Sequence, residues 1–137
     1  MIQEMLSQGA IGGAILALLA FLLSRFTKDI VGRTLLATML FSAAGAYFGF
    51  AFRLGLTRVW VLIELLQCLA FGTLGLYGWR GSAKWLALAW VLHPIWDFPL
   101  HYLGPGRIYA PTAYVIFCIS FDWVVAAYIF IYYRRQM

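Results

Sequence analysis

The chain has 137 residues, of which 64% are hydrophobic and 11% charged, and ten Lys and Arg against five Asp and Glu give a net charge of +5. An ordinary soluble domain is about half apolar and about a quarter charged, so a chain this greasy cannot keep a surface wet, and the membrane class is expected. The basic residues form no stripe with interleaved aromatics, which excludes a nucleic-acid partner.

Five apolar segments follow one another, joined by short loops, and predict one transmembrane domain over residues 1–137. The first runs over about 9–26 and ends in Arg25 and Lys28. Its N-terminal "MIQEML" has no positive region and no small-residue cleavage site follows, so no signal peptide is expected. The second covers about 34–52, the third about 58–79, the fourth about 83–103 and the fifth about 110–133. Each is close to the ~20 residues with which an α-helix crosses the hydrocarbon core. The runs are continuous rather than alternating, which excludes barrel strands.

Small and aromatic residues punctuate these segments. Gly9 and Gly13, and Gly45 and Gly49, are spaced as GxxxG pairs at which helices can approach closely. Trp60, Trp79, Trp85, Tyr102, Tyr109, Tyr132 and Tyr133 fall near segment ends, where amphipathic rings prefer the interface. Cys68 and Cys118 lie inside apolar runs and are expected as free thiols. Basic residues flank the segments. With the N-terminus outside, seven face the cytoplasm (Arg25, Lys28, Arg33, Arg80, Lys84, Arg134, Arg135) and three face outward (Arg53, Arg58, Arg107). The positive-inside rule therefore predicts N-out and C-in, in the cell's inner (plasma) membrane.

The chemistry lies in the ionisable residues within the segments. An ionised group at mid-membrane costs about 2.5–3.5 kcal/mol on insertion scales, so Glu64, Asp97 and Asp122, with His93 and His101, are functional candidates by default. In the N-out orientation Glu64, His93, Asp97 and Asp122 fall at similar depths, roughly 9–18 Å from the outer end at ~1.5 Å per residue. An outward-facing polar pocket between the third, fourth and fifth helices is the expectation. In "HPIWDFPLHY", positions 93, 97 and 101 advance by about 40° per step and share one helix face. His93 and Asp97 have the i, i+4 spacing by which a helix presents two metal ligands. His101 is about 12 Å from His93 along a straight helix, but Pro94 and Pro99 each delete a helical hydrogen bond, and a kink there can turn His101 inward.

Three readings of this set stand open. His93, Asp97 and His101 can be metal ligands, completed by Glu64 or Asp122, a donor set that suits zinc or iron. They can instead do metal-free acid–base chemistry on a lipid or isoprenoid held between helices, because burial moves carboxylate and imidazole toward each other in proton affinity. An isolated buried His–Asp pair is ordinarily a structural tie, and the third and fourth ionisable groups argue against that here. For Asp122 the expected partner is His93, with Gln67, Ser120 or a tyrosine as alternatives. Glu64 is a site group or a solvated rim residue, Gln67 and Cys68 extend its face, and Arg107 anchors at the interface or meets a headgroup.

"HPIWDFPLHY" followed by "FCISFDWVVAAYIF" resembles a small bacterial integral-membrane family of unknown function that carries H-P-x-W-D, a nearby second His and an aromatic-Asp pair in the last span. The resemblance covers roughly the last third of the chain and points to His93, Trp96, Asp97, His101 and Asp122. It implies no activity. By span count and aromatic content the chain is also similar to the tryptophan-rich sensory protein (translocator) family, whose five-helix members bind porphyrins and sterols. That family's Trp, Pro and Asn motifs are missing here, which speaks against a porphyrin site.

The expected protein is thus an all-α, five-helix transmembrane bundle with a proline-kinked fourth helix. Its expected role is that of an intramembrane enzyme, metal-dependent or acid–base, on a lipid-like or isoprenoid substrate. The alternatives are a proton-coupled transporter or a membrane protein binding small hydrophobic ligands, and an accessory membrane subunit. Membrane lipids are the expected surroundings, and so small a chain admits a homodimer.

Overall fold

A computed structural model describes residues 1–137. The chain folds as α1 (Ile2–Phe26), α2 (Asp29–Arg53), α3 (Arg58–Arg80), α4 (Ala83–Asp97) and α5 (Thr112–Tyr132). Between α4 and α5 lie a π-helical turn, Phe98–Leu103, and a 3₁₀ turn, Pro105–Ile108, and a last 3₁₀ turn covers Arg134–Gln136. It is a helical membrane protein: α1, α2, α3 and α5 are each long and apolar enough to cross a bilayer. Two helices run longer than their apolar cores. α1 begins at Ile2 and α2 at Asp29 because Gln3, Glu4 and Arg33 are ordinary helix formers once the turn beside them is nucleated.

The first three connections are short, so those helices are antiparallel neighbours, and the longer α4–α5 connection holds the two turns. The α2–α3 turn passes through Gly55, whose φ of +60° lies in the left-handed region that a side chain disfavours. α1 packs on α2, α2 on α3, α3 on α4 and α4 on α5, and α5 returns to α1 so that the ring closes. α2 also reaches α4 across the bundle.

The α1–α5 seam uses the first glycine pair. A Cβ on Gly9 would collide with the Phe117 carbonyl oxygen, and one on Gly13 would come within 2.6 Å of the Phe121 carbonyl oxygen. Such an approach of two backbones is open only to residues without a side chain. Ser120 Oγ adds a bond to the Leu6 carbonyl oxygen across the same seam, 2.8 Å being typical and 2.7 Å observed. The second pair does nothing comparable: Gly45 has Cys68 Sγ 3.6 Å from its Cβ position, and Gly49 faces open space.

The fourth segment departs from a simple kink. α4 runs through Pro94 as regular helix for 15 residues and then widens into the six-residue π turn containing Pro99. The i→i+5 pattern absorbs the missing proline N–H by lengthening the turn instead of bending the axis alone. A wider turn also keeps residues four apart closer to one angular position, so that His101 stays on the face of Asp97.

The interior has an apolar layer and a mixed one. Leu36, Leu40, Leu86, Trp90, Val125 and Ile129 fill the end that holds the α1–α2 and α3–α4 connections. Tyr47, Ala51, Tyr109, Ala110 and Val115 fill the other end. Large apolar side chains such as Ile11, Leu62, Leu66, Ile95 and Ile131 point outward, as a lipid-facing surface requires.

Candidate functional site

Five ionisable side chains meet beside the Tyr47–Tyr109 layer, toward the end opposite the α1–α2 connection. Glu64 on α3, His93 and Asp97 on α4, His101 on the π turn and Asp122 on α5 are all 0% exposed. They are strung as a ladder that alternates acid and imidazole. His93 Nδ1 is 2.8 Å from Asp122 Oδ2 and 3.4 Å from Asp97 Oδ2. His101 Nδ1 is 3.6 Å from Asp97 Oδ1, and His101 Nε2 is 2.9 Å from Glu64 Oε1. The expected pairing of Asp122 with His93 is found, and Ser120 is engaged elsewhere, on Leu6.

Two tyrosines and a glutamine close the ladder. Tyr47, from the C-terminal half of α2, donates to Asp97 Oδ2 at 2.8 Å. Its ring lies flat on the His101 imidazole, with centroids 4.0 Å apart and planes 10° apart. Tyr109 donates to Glu64 Oε1 at 2.5 Å from the connection between the π turn and α5. Gln67 Nε2 donates to the Ala44 carbonyl oxygen at 2.8 Å and lies 3.4 Å from Glu64 Oε2. The Phe71 ring meets His93 edge-on at 5.0 Å.

These contacts correct the expected geometry in three respects. The polar set is no outward-open pocket: Tyr47 and Tyr109 cover it, and Glu64 is buried rather than a solvated rim residue. The set draws on α2 and the α4–α5 connection as well as on α3, α4 and α5. Finally, the residues whose donor atoms lie within 4.8 Å of one another are His93, Asp97 and Asp122, so Asp122 takes the place expected for His101 in a metal-capable group. His101 is drawn instead toward Glu64, because the π turn and the Tyr47 stack turn its ring to α3.

Sequence reasoning did not single out Tyr47, and placed Tyr109 only as an interface anchor. The signal for Tyr47 was depth: it sits within the apolar run of α2, where a phenol must find a partner, rather than at the run's end.

The charge balance determines what the site can do. Three carboxylates face two imidazoles, so even with both rings protonated one negative charge remains inside the membrane. Uncompensated buried charge is expensive, and a cation, either a proton or a metal ion, balances it. Four ladder atoms make no hydrogen bond within the protein: His93 Nε2, Asp97 Oδ1, His101 Nδ1 and Asp122 Oδ1. One imidazole and two carboxylates form a hard-to-borderline donor set that can hold a divalent ion, and the Tyr47 hydroxyl fixes the Asp97 carboxylate through Oδ2.

No curated protein and no solved structure matches the chain. One family match does cover nearly all of it, from the α1 seam to the C-terminal turn. The chain belongs to the family of unknown function DUF6010, which it matches over residues 8–135.

Proposed function

We propose that this membrane protein is an intramembrane enzyme in which His93, Asp97 and Asp122 hold a divalent metal, zinc or iron, and that it acts on a lipid-like or isoprenoid substrate. The observation that supports this reading is the surplus of buried carboxylates over imidazoles around three donor atoms within 4.8 Å. A metal held by one imidazole and two carboxylates keeps coordination positions for water and substrate. His101 and Glu64, next along the ladder, are then placed to carry protons to and from that centre. In the N-out, C-in orientation within the inner membrane, the site lies toward the outer face, among membrane lipids and in a monomer or homodimer.

Metal analysis of protein purified in mild detergent tests the reading. Near-stoichiometric zinc or iron is expected, lost in His93→Ala and in Asp97→Ala. Neither metal in the wild-type protein rejects it.

A second reading, proton-coupled transport, is favoured by the alternating order Asp122–His93–Asp97–His101–Glu64, since acid and imidazole chains carry protons in pumps and transporters. It requires proton-linked uptake in liposomes that Asp122→Asn abolishes. An accessory role requires that such substitutions alter assembly alone.

A further inference from the structure

A groove between α2 and α5, about 280 Å³ in volume, opens on the lipid-facing surface and is lined at its inner end by Asp122, whose carboxylate is buried behind it. Met39, Ala43, Phe117 and Phe121 give it apolar walls, and Ser42, Tyr114 and Cys118 complete it. This size is near the lower end of ligand pockets, about 300–1,000 Å³, and suits part of one slender chain. The groove opens sideways, where bilayer molecules arrive.

Its polar chemistry is one-sided. Ser42 Oγ donates its proton to the Thr38 carbonyl oxygen at 2.9 Å, and Tyr114 OH donates to the Ala43 carbonyl oxygen at 3.1 Å. Each hydroxyl therefore offers only lone pairs to the groove. Asp122, fully buried, bonds His93 through Oδ2 and leaves Oδ1 without a partner. The one donor besides these is the Cys118 thiol, which is weak. A ligand reaching the end of this groove must bring a hydrogen-bond donor. A phosphate or carboxylate headgroup would meet acceptors and a negatively charged ladder, whereas a hydroxyl donates without adding a charge to be desolvated.

We infer that the α2–α5 groove is the lateral entry site for a single-chain apolar alcohol, whose hydroxyl donates to Asp122 Oδ1. This rests on the enzymatic reading above for its purpose, and it names the substrate class as neutral alcohols, isoprenoid or straight-chain, rather than their phosphates.

Photolabelling of the full-length protein in nanodiscs with a diazirine-bearing analogue of geraniol tests it. The label is expected on peptides from α2 and α5 that contain Met39, Phe117 or Phe121. Geraniol or decanol should suppress labelling about tenfold more than geranyl phosphate, and whichever competes better identifies the isoprenoid or straight-chain source. Ser42→Trp, at a lipid-facing position where a large ring leaves the helix intact, should fill the groove and cut labelling about tenfold. Asp122→Asn should erase the preference for alcohol over phosphate while labelling persists. Label spread evenly over the lipid-facing surface, label concentrated at Leu66, Leu92 and Trp96 between α3 and α4, or equal competition by the phosphate overturns the inference. Metal measured on the same samples separates the two claims. Groove labelling without metal keeps the alcohol site and rejects the metal enzyme, and metal without groove labelling does the reverse.

Discussion

Two buried polar regions lie at opposite ends of this bundle, and they are built on different rules. At one end Arg33, only 7% exposed, reaches the C-terminus of α3. Its Nε donates to the Gly78 carbonyl oxygen at 2.9 Å, its Nη2 to the carbonyl oxygens of Gly78 and Gly81, and its Nη1 to Gln136 Oε1 at 3.3 Å. Gln136 Nε2 donates in turn to Asp29 Oδ2 at 2.5 Å, and Ser24 and Tyr133 share a hydroxyl bond of 2.6 Å beside them. A cation sits on the negative end of a helix and every guanidinium nitrogen is engaged, so the knot stabilises the fold. At the other end the acid–imidazole ladder gathers like charges and leaves four of its atoms without a bond. A buried cation with every nitrogen engaged at one end and a cluster of like charges with open atoms at the other is how a structural tie differs from a site.

Arg33→Ala is the substitution that presses hardest on this contrast. It strips the carbonyls at the end of α3 of their charged donor and should lower stability by about 3 kcal/mol, seen in thermal unfolding in detergent. Metal content per folded molecule should stay the same. A loss of metal in the folded fraction would mean that the two ends are coupled and the contrast false.

Substitutions in the ladder should invert that pattern. Asp97→Asn removes the surplus negative charge, so stability should change by no more than about 1 kcal/mol while metal content drops roughly 10–100-fold. A stability loss as large as that of Arg33→Ala would make the ladder another structural tie.

The smallest effects come from a matched pair of tyrosines. Tyr47→Phe and Tyr133→Phe each delete one buried hydroxyl bond and should each cost about 1 kcal/mol. Only Tyr47→Phe should weaken metal retention, by about tenfold, in competition with a chelator, because only that hydroxyl holds a ladder carboxylate. Equal metal retention in the two variants would remove Tyr47 from the site.

The contrast also separates what could be read in the chain from what could not. The intervals of four at 93, 97 and 101, and the depth shared with Glu64 and Asp122, are properties of single helices, and the structure brings all five residues together. The His93–Asp122 partnership follows from depth as well. Arg33 reads in the sequence as one of several flanking charges, and nothing local marks it as the cap of a helix far along the chain. Tyr47 and Tyr109 likewise enter the site through tertiary packing alone, which no periodicity encodes. The π turn was half legible: prolines announce a disturbed helix, but whether it bends or widens depends on what His101 finds to bond.

The shortness of α4 has a consequence for how the protein is made. With 15 residues, α4 is too short to cross a bilayer as regular helix and needs the six residues of the π turn to do so, so one crossing holds both histidines, Asp97 and both prolines. These groups are costly in lipid, and Asp122 of α5 is what receives His93. A chain cut short before α5 should therefore hold α4 in the bilayer less firmly than the full-length chain does, seen as greater protease access to that segment.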